Sequence, residues 1–126
     1  VLIGLVAQEA IRLGVHVDYE VVIKVGGKVM YGDLLIQDGL QKILVEAEMS
    51  SKRIANDLAK AEALKAELWI LVPNQRVAQS VRRKLSKLSN VLGNNGKLIL
   101  LLSQAIQRLG ELYELNSGSN VNAEKK

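Results

Sequence analysis

The chain has 126 residues, 48% of them hydrophobic, a formal net charge of +4 and no cysteine. That length suits one domain with its own core, the missing thiols exclude disulfides and thiolate metal centres, and no apolar run approaches the roughly 20 residues of a membrane span. Aromatic residues make up only 3% and Phe is absent, so the core must be built from Leu, Ile, Val and Ala.

The net charge conceals a split. Residues 1–50 carry 7 acids and 4 bases, whereas residues 51–126 carry 6 acids and 13 bases. Between Leu68 and Gly110 there is no acid at all, but there are seven bases: Arg76, Arg82, Arg83, Lys84, Lys87, Lys97 and Arg108. An acidic half followed by a basic half reads as a cation-binding cluster flanked by a polyanion-binding surface. Ordinary solvated helix faces account for the bases equally well.

In chain order, the opening segment VLIGLVAQEAIRLG has Leu2, Leu5, Val6 and Leu13 at helical spacing, with Glu9 inside the apolar stripe. It lacks the basic start and small-residue cleavage site of a signal peptide. Val17 to Val25 alternates as a strand, with Val17, Tyr19, Val21, Ile23 and Val25 on one face. Gly26-Gly27 and Asp38-Gly39 read as two-residue hairpin turns, which makes residues 17–49 a three-stranded antiparallel meander. On that register Glu20 faces Asp33, Asp33 faces Leu44, and Glu46 is a diagonal neighbour. Glu20, Asp33, Glu46 and Glu48 then share one face of the sheet, against which the Glu9 helix can pack.

Ser50-Ser51 offers an N-cap to a helix through Ile54, Leu58, Ala61 and Leu64. Leu68 to Val72 is a short strand, helix-joined and so parallel to an earlier one. Asn74 can cap a helix over Gln75 to Asn90, with Arg76, Arg83 and Lys87 opposite its apolar side. Gly93 to Gly96 is a loop, Lys97 to Leu102 a fifth strand, and Ser103 to Leu115 a last helix. The polar residues 116–126 read as a disordered tail, leaving 1–115 as a single domain. Tyr31 and Trp69 read as packing residues, and His16 has no evident partner.

The order helix, three-strand meander, helix, strand, with Glu9 in the first helix, Asp33 in the second strand and Glu46-Ala47-Glu48 in the third, resembles the PD-(D/E)xK, or restriction-endonuclease-like, nuclease superfamily. It looks most like the archaeal Holliday-junction resolvases, over Leu2 to Val72. The resemblance implies an α/β fold with an αβββαβ core, a central mixed sheet flanked by helices. It implies that Glu9, Asp33 and Glu46 bind Mg²⁺ or Mn²⁺, that Ala47 lends its main chain, and that Glu48 stands where the family usually has Lys. Some members with Glu-x-Glu still cut. Glu20 is a possible support, and Lys42 or Lys52 a substitute for the missing Lys.

The activity implied is metal-dependent hydrolysis of phosphodiester bonds in DNA, structure-selective for branched forms, with Arg76, Arg82, Arg83, Lys84 and Lys87 on the backbone. A cytoplasmic homodimer is expected, joined through the Leu-rich C-terminal elements, with no organic cofactor and no membrane. The competing reading is a catalytically inactive nucleic-acid-binding module that keeps the nuclease fold.

Overall fold

A computed structural model of the chain describes residues 1–39, 41–92 and 97–114. Its elements run α1 (Leu2–Arg12), β1 (His16–Val25), β2 (Lys28–Asp38), β3 (Gln41–Ala47), α2 (Ile54–Leu64), β4 (Glu67–Leu71), α3 (Gln75–Leu92), β5 (Lys97–Leu100) and α4 (Leu102–Leu109), which continues as a π-helical turn over Gly110–Glu114. The strands form one mixed sheet in chain order, β1-β2-β3-β4-β5. The first three are antiparallel, and β3, β4 and β5 are parallel. The loop expected at Gly93–Gly96 and the tail expected at 116–126 lie outside the described residues.

Period-two patterning puts a separate apolar layer on each side of this sheet. Leu34, Ile36, Ile43, Val45, Trp69 and Leu71 pack against Val6, Ala7 and Ala10 of α1 and Ala105 and Leu109 of α4. Ile23, Leu44, Leu68 and Ile70 pack on the other side against Ile54, Leu58 and Ala61 of α2 and Ala78 and Val81 of α3. Leu68 to Leu71 of β4 are all buried, as an unbroken apolar run in a strand covered on both faces requires. The C-terminal leucines serve this core: Leu109 is fully buried, and Leu98, Leu100 and Leu102 are half-buried against the α1 layer. Among the described residues no helix is long and apolar enough to cross a membrane.

The first hairpin has the expected register, with Val25 opposite Lys28 and positive φ at both Gly26 and Gly27, as a tight turn matched to strand twist needs. The second is displaced. Asp38 pairs with Gln41 and Leu35 with Leu44, so Asp38 is the last paired residue of β2 rather than the first residue of the turn. Asp33 stands level with Glu46, one step beyond the Leu34–Val45 pair, and not with Leu44. The displacement is two residues, an even number, so each side chain keeps its face.

Alternation itself breaks within the first hairpin. The β1–β2 ladder runs from His16–Gln37 to Tyr19–Leu34, skips the Glu20/Asp33 step and resumes at Val21–Gly32. Glu20 has φ +50, a left-handed conformation unusual outside Gly, Asn and Asp. Side chains change sides there: Val17 belongs to the α1 layer, Val21 and Val25 to the α2 layer. The expected single face of Val17 to Val25 is therefore split, its Tyr19 is 53% exposed, and Tyr31, expected to pack, is 62% exposed.

Two helix starts also differ in kind. Asn74 caps α3 as expected, its Oδ1 accepting from the Val77 amide at 3.0 Å. Ser50 and Ser51 do not cap α2, which begins at Ile54; Ser50 Oγ instead accepts from the Lys52 amide at 3.3 Å in the preceding turn.

Gly32 is buried where β1, β2 and β3 meet, and a Cβ there would lie 2.8 Å from Leu44 Cδ1, 3.1 Å from Ile23 Cδ1 and 3.2 Å from Glu46 Oε1. Gly32→Val is expected to destabilise the chain by about 1–3 kcal/mol through overpacking, read as a lower urea midpoint, with Gly4→Val, which meets nothing within 4 Å, as the reference for added bulk.

Candidate functional site

Strand β3 delivers Glu46 to the α2 side of the sheet, and the chain continues to Glu48, whose amide donates to the Leu71 carbonyl at 3.0 Å. Helix α2 crosses above them. Its buried stripe contains Ile54, Leu58 and Ala61, and with them Asp57 and Lys60, because positions three and four apart share a helix face. One carboxylate oxygen from each of Glu46, Glu48 and Asp57 lies within 4.8 Å of the others, and all three residues are buried. This acidic group can hold a metal ion.

Few positive charges serve it. The Lys60 ammonium donates to Glu46 Oε2 at 3.3 Å and stands 3.7 Å from Asp57 Oδ1. Arg53 Nε reaches Glu48 Oε1 at 3.6 Å from an exposed position. Both Asp57 oxygens are buried without a hydrogen-bond partner. Burial above all, then contact with Glu48 and the charges of Glu46 and Glu48, pushes the Asp57 carboxyl up to about 9, against the pull of Lys60. Glu46 is pushed up to about 7, first by burial and then by the charge of Asp33, with Lys60 and the Asp33 amide opposing. Two ionised carboxylates offer each other no hydrogen, so Asp57 and Glu48 can bond directly only when one of them carries a proton.

Asp33 borders the group. Its amide donates to Glu46 Oε1 at 3.0 Å, and its own Oδ2 accepts from the Ala47 amide at 2.9 Å. These reciprocal bonds lie just past the last β2–β3 pair, Leu34–Val45. The structure thus brings Asp33, Glu46 and Ala47 together, with Glu48 beside Glu46.

Other expected members lie elsewhere. Glu9 sits on α1, whose core residues belong to the opposite layer. The stripe on α1 centres on Val6, Ala7 and Ala10, while Leu5 is exposed. Arg12 donates to both Glu9 oxygens at 2.8 Å, and that bond, ahead of the opposing effect of burial, holds the Glu9 carboxyl below its usual range. Glu20 is exposed. Lys42 pairs across from Gln37, about 13 Å back along the strand from Glu46, and Lys52 is exposed. Sequence reasoning missed Asp57 and Lys60, although both fall at helical spacing with Ile54, Ala61 and Leu64. His16 does have a partner, Asp18 Oδ1 at 3.1 Å, on the surface.

Arg76, Arg82, Arg83, Lys84 and Lys87 are all exposed on α3. Because α2 and α3 cover the same side of the sheet, the bases and the acidic group occupy one side of the molecule. Glu48 follows the C-terminal end of β3, and Asn74, which caps α3, follows that of β4, so the start of α3 with Arg76 is at the same end of the sheet as Glu48.

Comparison with protein-family models and with curated proteins finds no match. Among solved structures the chain is similar to a protein of unknown function, AF1548, with a TM-score of 0.57 and 11% sequence identity, over 87% of this chain. The chain spans 65% of that protein's length. The likeness is one of fold: a mixed α/β sheet flanked by helices.

The raised carboxyls have a definite consequence for stability. A folded-state pKa above the unfolded value of about 4 means the folded chain binds more protons between the two, so stability falls as pH rises through that interval. Without added metal, the urea midpoint is expected to drop steadily from about pH 5 to pH 9. Each proton held only by the folded state contributes up to about 1.4 kcal/mol per pH unit. Asp57→Asn, which removes one such proton, is expected to flatten the upper part of the decline.

Proposed function

We propose that this chain is a metal-dependent DNA endonuclease of the restriction-endonuclease-like type, with its site at the Asp33, Glu46, Glu48 edge of β2 and β3. The observation that carries the reading is the joining of Asp33 to the Glu46-Ala47 segment by two reciprocal hydrogen bonds, beside buried carboxylates and on the side of the sheet that α3 lines with bases. An all-oxygen donor set without Cys or His suits Mg²⁺ or Mn²⁺.

When bound, such an ion neutralises phosphate charge and lowers the pKa of a water. Asp33 and Glu46 would hold it, Ala47 bringing its main chain to the same place, and Glu48 would accept a proton. Lys60, rather than Lys42 or Lys52, supplies the positive charge that Glu48 displaces from the strand, since its ammonium already reaches Glu46. Glu9, paired with Arg12, would need to leave that partner to join.

Arg76, Arg83 and Lys87, which share one helical stripe, with Arg82 and Lys84 on its flanks, would hold phosphates without reading bases. A two-fold dimer would present two sites to two strands or junction arms. The competing reading, a nucleic-acid-binding module without activity, draws support from the same Lys60–Glu46 pair, because an ion pair can satisfy Glu46 with no metal at all.

The test is cleavage of labelled linear duplex, single strand, nicked circle and four-way junction with Mg²⁺, Mn²⁺ or chelator. Metal-dependent cutting that falls at least 100-fold in Asp33→Ala is the expected result. Absence of cutting on every form, with salt-sensitive binding retained, would establish the inactive module. In either case, replacing Arg76, Arg83 and Lys87 with Ala is expected to lower the slope of log affinity against log salt by about 0.9 for each duplex phosphate that is no longer neutralised.

A further inference from the structure

Among the described residues Asp57 is the buried carboxylate with neither oxygen hydrogen-bonded. It is 0% exposed in the middle of a helix. A buried carboxylate left in that state is costly unless a cation or proton completes it. Lys60 is shared, its ammonium 3.3 Å from Glu46 and 3.7 Å from Asp57, and a single positive charge cannot balance both carboxylates. Arg53 is turned to Glu48 and is itself largely exposed.

We propose that Asp57, with Glu48 and Glu46, forms a divalent-cation site built between α2 and the end of β3, additional to any ion held through Asp33. The proposal shares Glu46 and Glu48 with the nuclease reading and otherwise rests on Asp57, whose buried oxygens accept no hydrogen bond and one of which lies against the other two carboxylates. Oxygens bound to one Mg²⁺, Mn²⁺ or Ca²⁺ ion at 2.0–2.6 Å lie about 3 to 5 Å apart, and one oxygen from each of the three carboxylates is within 4.8 Å of the others. Three ionised carboxylates outnumber the Lys60 and Arg53 cations beside them, and a divalent ion offsets the negative charge that remains. The donors are all hard oxygens, which favours these ions over the thiolate- and imidazole-seeking metals.

Binding of Mn²⁺ alone to the full chain, without DNA, tests the site. Free Mn²⁺ is read by electron paramagnetic resonance at pH 8, and thermal melting is followed with Mn²⁺, Mg²⁺, Ca²⁺ or chelator. The native chain is expected to bind Mn²⁺ and melt at a higher temperature with it. Asp57→Asn, a near-isosteric change that cannot supply an anionic ligand, should bind at least one fewer ion per chain, or bind at least tenfold more weakly, and lose most of the melting shift. Glu48→Gln should behave alike, while Asp33→Asn should keep the ion held through Asp57.

Native chain that binds no Mn²⁺, or Asp57→Asn binding as many ions as tightly as the native chain, would overturn the proposal and leave a proton shared between Asp57 and Glu48 as the account of the group. DNA cleavage with uptake unaffected by Asp57→Asn would sink this site and spare the nuclease reading. Uptake that depends on Asp57 with no cleavage would do the reverse.

Discussion

The closing of α2 over Glu46 and Glu48 is the constraint on which the architecture around the site depends. Withdrawing a carboxylate from water carries an effective penalty of several kcal/mol, and here Glu46, Glu48 and Asp57 are withdrawn together, at 3%, 3% and 0% exposure. One buried ammonium, Lys60, answers them directly. The apolar neighbours supply the opposing force: Ile54, Leu58 and Ala61 bring α2 down on Leu44 and Ile70, and the acids travel with them because they occupy the same faces of the same two elements. Apolar packing therefore places the charges where solvation alone would not, and the local electrostatics must be met by protons or cations.

The irregularity in the first hairpin belongs to the same arrangement. A left-handed conformation at a residue such as Glu20 costs about 1–2 kcal/mol, yet it accompanies the skipped ladder step at Asp33, whose amide donates to Glu46 and whose carboxylate accepts from the Ala47 amide. The change of face also lets β1 cover both layers, Val17 on one side and Ile23 on the other. Gly32 is then required for space, since it lies against Leu44, Ile23 and the Glu46 carboxylate itself.

Much of this was legible in the residues. Alternating Val, Ile and Leu marked the strands, Gly26-Gly27 set the first register, Asn74 marked the start of α3, and the proximity of Asp33 to Glu46 followed even though the second turn was placed one residue early. An even displacement conserves faces, which is why that error did no harm. The failures share one cause: periodicity describes an unbroken element, and the site is made where elements break or cross. The single face expected for Val17 to Val25 and the packing expected of Tyr31 fail because the alternation is interrupted at Glu20 and Asp33. Which sheet face α1 covers is a tertiary matter, so the pairing of Glu9 with Arg12 on its own helix is not written in the helical spacing. Asp57 and Lys60 were passed over because an Asp and a Lys three apart on a helix read as a solvent-facing pair, and only the packing of α2 shows that they point inward.

The uneven distribution of charge along the chain becomes spatial organisation through topology. Parallel pairing of β3 with β4 brings the end of one strand, with Glu48, beside the end of the other, from which α3 begins. Ligands of open α/β sheets gather at such carboxyl ends. Acids that precede α2 in sequence and bases that follow β4 thus come to one side of a single sheet. In the proposed nuclease each would compensate for what the other lacks: the bases would attract a polyanion that the carboxylates by themselves would repel, and the carboxylates would hold the cations that its reacting group needs. A field of both signs across one surface orients a charged ligand as well as attracting it, and this chain obtains that field by the crossover through α2 alone.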